Sequence, residues 1–323
     1  MLTFDNKLKE SIYNKLNYEI INDSLIRKVY SQIYQKDSNN SYMFSKTKEP
    51  GKPDKDSKED KEKLLIELFN INNKDLFKEK YKQAISGDGN EYRRITTLTS
   101  SSLCALLCFY NIKKYNITIG DVTYDDVLFE VKNKVIDPRY PSNMDIVLIS
   151  NSDKKILFLE SKFSEYMCHS KAKKISDNYL CFYNDLGLFG SGYEKKDNKK
   201  GTFDLEKGEN NFYLDGIKQM ISHYIGVQSF VKEGKSIGDR LELKDYTVTL
   251  GEIIFNAWDD EFDYFKNYKD EYSKLIKLFR DHNKNIKIEF LDEPLEYAIV
   301  FKDYHLDDKV RSFYFSKEKR SNQ

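Results

Sequence analysis

The chain has 323 residues, enough to bury one substantial core with room for an accessory lobe. Charged residues make up 33% and hydrophobic ones 39%, a polar but globular balance in which 24 Tyr and 21 Phe carry much of the apolar area. The 53 basic and 53 acidic residues cancel, which argues against a basic nucleic-acid module with a large footprint but leaves room for a local patch that steers a polyanion.

Leu8, Ile12, Leu16 and Ile20 recur at helical spacing, and Leu25, Val29 and Ile33 continue the pattern. Residues 4–35 are therefore predicted helical, within an N-terminal helical segment over 1–45. Residues 46–62 read as a charged flexible linker. KLLIELFNI (63–71) begins a helix and the main domain, 63–323, and 74–84 extends the helical region. A loop over 86–90 leads to a helix over 97–111, capped near 99–101 and packed through Leu103, Leu106, Leu107 and Phe109.

Strands follow. Tyr124–Val135 contains VLFEV, a first strand; 144–150 and 155–163 are two more. From about 164 to 211 the chain is polar and rich in Gly, Lys and Asn, an irregular insertion of the kind that contacts substrate. Its Lys195-Lys196 and Lys199-Lys200 suit a phosphate backbone, and suit a solvated loop equally well. A helix over 215–231 shows Ile217, Met220, Ile221, Tyr224 and Ile225 on one face. A strand over 246–258, ending near the packing residue Trp258, a helix over 270–283 and a further strand or two complete the chain before a charged tail.

The densest information lies in PSNMDIVLISNSDKKILFLESKF, residues 141–163. Asp145, Glu160 and Lys162 sit inside two apolar runs joined by Asn151-Ser152-Asp153-Lys154, which is turn chemistry. Closing the hairpin there sets Ser150 against Lys155 and brings Asp145 opposite Glu160, with Cβ atoms expected ~4.5–5.5 Å apart. Period two puts Glu160 and Lys162 on one face, about 6–7 Å apart along the strand. Opposed like charges destabilise a sheet, whereas two carboxylates holding a cation do not. A buried ion pair with Lys162 is the plainer alternative, but it leaves a negative excess that a metal would cure.

Asp145…Glu160-Ser161-Lys162 resembles the PD-(D/E)XK phosphodiesterase superfamily, which includes restriction enzymes and many repair and defence nucleases. Thr99-Ser100-Ser101-Ser102, the approach Ser142-Asn143-Met144-Asp145, and a later helix carrying Gln219 are similar to a bacterial restriction-endonuclease-like group. Met144 stands where the superfamily's name expects proline, with Pro141 the nearest. Asp56-Ser57-Lys58, with Pro53-Asp54 upstream, has similar letters but lies in GKPDKDSKEDKEK, which has no apolar residue and cannot form a buried strand. The resemblance implies an α/β fold with a restriction-endonuclease-like core: a mixed central β-sheet flanked by helices, with the N-terminal helical region beside it.

Phosphodiester hydrolysis needs neutralised phosphate charge, an activated water and help for the leaving oxygen. Mg²⁺, with Mn²⁺ as substitute, supplies the first two and prefers carboxylate oxygens. Asp145 and Glu160 are the expected ligands, and the resemblance adds the Ser161 backbone carbonyl. Lys162 is expected to orient or deprotonate the water and to stabilise developing charge. Glu130 is a candidate further ligand, although a solvent-facing place on an edge strand is the favoured reading. Glu67, in the 63–71 helix, is a weaker candidate. Gln219 and His223 lie one turn apart, off the apolar face; the resemblance implies that a polar residue of this helix, Gln219, reaches the site, whereas His223 is read as a surface or packing histidine.

Cys104 and Cys108, spaced i, i+4 among leucines, read as core; Cys168, His169 and Cys181 match no standard zinc spacing. The polar, charged start and the four cysteines fit a reducing cytoplasm, and no apolar run is long enough to span a membrane. The expectation is a Mg²⁺-dependent nuclease acting on DNA, with RNA open, in a restriction or defence setting, and with a homodimer as a candidate assembly. The alternatives are a catalytically silent nucleic-acid-binding or interaction module on the same fold, and a metal-dependent hydrolase of smaller phosphate substrates.

Overall fold

The structure is a computed structural model that describes residues 57–87, 91–97, 100–135, 141–163, 215–242, 245–255, 264–283 and 286–315. It also describes the short strands Ile33–Gln35, Tyr42–Phe44, Lys174–Ser176, Tyr193–Glu194 and Thr202–Asp204. The chain divides into two compact units, 1–117 with 297–323, and 118–296.

In the first unit, Ile33–Gln35 pairs antiparallel with Tyr42–Phe44. Ile33 was expected in a helix; the alternation Ile-Tyr-Gln facing Tyr-Met-Phe suits a pleated surface better. The rest of the expected 4–35 helix lies outside the described residues, as does 46–56 of the expected linker. The linker's end is structured: helix Lys58–Leu68 begins five residues before the predicted 63. Ser57 accepts from the Asp60 amide, and the Asp60 carboxylate accepts from the Ser57 amide, a capping box that satisfies two otherwise unpaired N–H groups. Helices Lys74–Ala84 and Ser101–Phe109 follow, the latter capped by Ser100, with Cys104 and Cys108 fully buried in its core face. Two C-terminal helices the sequence did not suggest, Tyr297–Val300 and Asp308–Phe315, complete this unit. Buried Asp307 accepts hydrogen bonds from the Tyr110 hydroxyl and from Asn72 Nδ2, and Phe109 meets Phe301 edge-on at 4.8 Å.

The second unit opens through a short hairpin, Ile117–Ile119 with Val122–Tyr124, turning at Gly120, whose φ of +59° a glycine adopts without strain. Its centre is a six-stranded mixed sheet. The strands are β1 (Asp126–Asn133), β2 (Ser142–Ser150), β3 (Lys155–Lys162), β4 (Thr247–Ile254), β5 (Ile288–Phe290) and β6 (Leu295–Glu296). The order is β5-β4-β3-β2-β1, with β6 also on β4. Pairings β1–β2 and β2–β3 are antiparallel, while β4 runs parallel to β3, β5 and β6. Between β3 and β4 the chain forms helix α1 (Asp215–Glu233), and between β4 and β5 helix α2 (Tyr264–His282). Such crossover helices are what parallel neighbours require.

The sheet is apolar because its strands are covered: Val147, Leu148, Phe158, Leu159, Leu250 and Ile253 are all fully buried. Helix α1 packs through Met220, Ile221, Tyr224, Val227 and Phe230, with Phe230 edge-on to Phe158 at 5.2 Å. Tyr224 stacks on Phe279 of α2 at 4.3 Å. Gly226 lets α1 approach the open end of β1 and β2; a methyl there would stand 2.8 Å from Ser142 Cβ and 3.2 Å from Asn133 Cβ. In the expected irregular insertion, Thr202–Asp204 pairs with Lys174–Ser176 and with Tyr193–Glu194 to form a small antiparallel sheet. The rest of 164–211, including Cys168, His169, Cys181 and the lysine pairs, lies outside the described residues, as does Trp258. Among the described residues no helix is long and apolar enough to cross a membrane.

Candidate functional site

The hairpin forms in the expected register. The 151–154 turn is held by Asp125, which accepts from Asn151 Nδ2 at 2.7 Å, and by Asp153, which accepts from Ser150 Oγ at 3.0 Å. Lys154 turns the chain with φ +53°. The β2–β3 ladder then runs from Ser150↔Lys155 to Ile146↔Leu159 and stops one pair before Asp145 and Glu160. There the Asp145 side chain takes over from the ladder: its Oδ2 accepts from the Ser161 amide at 2.9 Å.

The ladder on the other side of β2 breaks at the same residue. Phe129 pairs with Ile146 and Val131 with Met144, but Glu130 and Asp145 between them do not pair. Glu130 has φ +51°, a left-handed conformation that costs a non-glycine residue roughly 1–2 kcal/mol. Arg240 braces the break, donating to the carbonyl oxygens of Phe129 at 2.9 Å and Glu130 at 3.2 Å. Glu130 is 3% exposed, which corrects the solvent-facing reading: β1 is an edge strand, yet its acid turns inward beside Asp145. Strained residues of this kind collect where a structure holds functional groups in place.

Glu160, Ser161 and Lys162 end β3, all buried. Lys162 Nζ lies 2.5 Å from Glu160 Oε1 and also donates to Gln219 Oε1, so the helix residue expected at the site reaches it from α1. Gln219 is exposed on its outer side. His223, read from sequence as a surface or packing residue, is 5% exposed and in the site: its Nε2 lies 2.7 Å from Glu160 Oε2, and its Nδ1 2.6 Å from Ser142 Oγ. Glu67 falls on the exposed side of its helix in the first unit, whereas every other candidate belongs to the second.

One member was not found from sequence. Glu252 lies beside Glu160 in the parallel β3–β4 register and is fully buried. Its Oε2 accepts from the Tyr268 hydroxyl of α2 at 2.5 Å, and its Oε1 has no hydrogen-bond partner among the described residues. A single acid in the apolar run TVTLGEII was the available signal.

Electrostatics divides the acids. Burial, then repulsion from Glu160 and Glu130, pushes the Asp145 carboxyl well above the usual carboxylate range. Burial also raises Glu252, to about 8, against the opposing pull of Lys162. Burial would raise Glu160 too, but the charges of Lys162 and His223 and their hydrogen bonds outweigh it and hold it at about 2. Glu160 is thus the fixed anion, while Asp145 and Glu252 hold protons more readily than ordinary carboxyls.

Asp145, Glu160 and Glu130 are hard oxygen donors, and the crowding that lifts Asp145 is relieved by a cation as well as by a proton. The donor chemistry therefore fits Mg²⁺ or Mn²⁺. Among the described residues no three His, Cys, Asp or Glu side chains are gathered into a ready metal-binding group, and both Glu160 oxygens face Lys162 and His223.

The fold and site together define a mixed α/β unit with an acid- and lysine-bearing cluster where two strand ladders break. Comparison with protein-family models, curated proteins and solved structures gave no match.

Proposed function

We propose that the second unit is a divalent-metal-dependent nuclease that hydrolyses phosphodiester bonds of DNA. One observation carries the reading: Asp145, Glu160 and Lys162, seventeen residues apart in sequence, meet where both ladders flanking Asp145 are interrupted, with Gln219 closing on the lysine. A structural ion pair needs only one acid for one lysine, and here Asp145, Glu130 and Glu252 crowd around the Glu160–Lys162 pair. That excess is what a cation site needs and what a packing pair would avoid.

Asp145, Glu160 and the Ser161 carbonyl would hold the ion, with Glu130 as a further ligand. Bound Mg²⁺ would neutralise phosphate charge and acidify a water. The chain's own groups do the rest. Lys162 brings a cationic donor to the reacting phosphate. Gln219 Oε1 fixes the lysine's direction from the exposed side. DNA as the substrate, and a restriction or defence role, rest on the likeness of Asp145…Glu160-Ser161-Lys162 to the PD-(D/E)XK superfamily. Duplex cutting favours two sites, hence a homodimer.

Plasmid and single-stranded RNA incubated with Mg²⁺ or Mn²⁺ test the reading. Wild type cuts DNA, and Glu160→Ala and Lys162→Ala each lose about 10²-fold or more. Cleavage unaltered by both substitutions rejects the assignment. A second reading has its own observation: Glu160 has both oxygens engaged by protein groups, as a closed structural network would. It predicts nucleic-acid binding without cleavage under either metal.

A further inference from the structure

His223 is engaged at both ring nitrogens, and its two partners come from different strands: Ser142 opens β2, and Glu160 lies near the end of β3. All three side chains are buried. A carboxylate can only accept, so the nitrogen facing Glu160, Nε2, carries the proton. The other ring nitrogen, Nδ1, faces the Ser142 hydroxyl, a group that can donate or accept. The proton on Nε2 is assigned from the carboxylate oxygen it faces at 2.7 Å. The chain of contacts continues through Glu160 Oε1 to Lys162 Nζ and on to Gln219 Oε1.

The geometry points to His223 as a positioning residue of the site: it fixes the rotation of the Glu160 carboxylate through Oε2, with Ser142 holding the imidazole from its other nitrogen. The inference rests on the nuclease reading for its consequence, but not for its geometry. Glu160 is pulled from one oxygen by Lys162. Without a hold on the other, the carboxylate can turn both oxygens onto the ammonium and occupy the lysine. Gln219 and His223 are spaced i, i+4 on α1, so one helix holds both the lysine and the glutamate. The close approach of Gly226 to Ser142 keeps that helix near enough for both.

The test has two readouts on the full chain. The first is ¹⁵N-histidine NMR near neutral pH in EDTA, where only four histidines contribute. His223 is expected to carry a proton on Nε2, with its Nδ1 signal moved by Ser142→Ala and its Nε2 signal by Glu160→Gln. An Nδ1–H tautomer, or signals unmoved by both substitutions, overturns the proposal whether or not the chain cuts DNA. The second is the Mn²⁺ dependence of cleavage. In folded His223→Ala the Mn²⁺ concentration for half-maximal rate rises about 10–100-fold, the usual effect of losing a group that orients a metal ligand, while KM for DNA changes little. His223→Gln, which keeps a donor toward Glu160, recovers most of the loss. An unshifted Mn²⁺ dependence in His223→Ala, with wild type active, overturns the positioning role and leaves the nuclease reading intact. A wild type that never cuts rejects the nuclease reading, and the NMR result then decides the His223 geometry by itself.

Discussion

Replacing Glu252 with glutamine should stabilise the protein increasingly as pH rises. Glutamine keeps the shape of the side chain and a carbonyl acceptor for the Tyr268 hydroxyl, and it cannot ionise. In the folded chain burial raises the Glu252 carboxyl from 4.5 to about 8. A raised folded-state value means that the acid's contribution is fully present below pH 4.5 and is lost as pH climbs through 8. Between pH 4.5 and 8, at 1.36 kcal/mol per pH unit, the full loss is about 5 kcal/mol. By pH 7, where 7 − 4.5 = 2.5 units have been crossed, about 3 kcal/mol is already gone. Urea unfolding of wild type and Glu252→Gln, measured from pH 5 to 9 in EDTA, reads this directly. The variant's advantage should be small at pH 5, grow through neutrality and level off above pH 8. The other acids titrate in both proteins and largely cancel in the difference. A stability difference that is flat across this range would refute the placement of Glu252 as a buried, proton-holding acid.

Gly226→Ala should cost about 1–3 kcal/mol, because the methyl meets Ser142 and the overpacked helix must shift; circular dichroism melts would show it, and cleavage should fall with it. Gln219→Ala should lower kcat by about 10–100-fold with little change in KM for DNA, as steady-state kinetics would report, since Gln219 directs Lys162 and does not itself anchor substrate. Glu130→Gly should separate stability from activity: relief of the positive φ gains about 1 kcal/mol in urea unfolding, while loss of the carboxylate raises the Mn²⁺ concentration needed for half-maximal cleavage. Arg240→Ala should destabilise by about 1–3 kcal/mol in the same assay, because two carbonyls at the ladder break lose their donor.

The part of the site set by local chemistry was legible in the sequence. A four-residue turn between alternating apolar runs fixes the β2–β3 register, so Asp145, Glu160 and Lys162 could be aligned by counting. Gln219 followed from the resemblance, with helical spacing on α1 showing only that it lies off the apolar face. Glu252 was not legible, because parallel β3–β4 pairing is joined through a long crossover and no turn sets its register. Glu130 was misjudged because an edge strand predicts exposure, and nothing local announces a backbone that turns its acid inward. His223 looked like a packing residue because its helix position does not reveal that Gly226 lets the helix close on Ser142. The early start of helix Lys58–Leu68 had a signal in the Ser57–Asp60 capping box, hidden by the run of charge. The return of the C-terminal helices to the first unit depends on pairings far apart in the chain, such as Asn72 with Asp307.

If the acids around Asp145 and Glu160 form a divalent-cation site, crystals soaked in Mn²⁺ and measured for anomalous scattering will show it. The expected result is a peak bonded to the carboxylates of Asp145 and Glu160, with Glu160 drawn off Lys162, and no peak in Asp145→Asn crystals. Ordered Asp145 and Glu160 side chains with no anomalous density between them, and the Glu160–Lys162 contact unchanged, would contradict it.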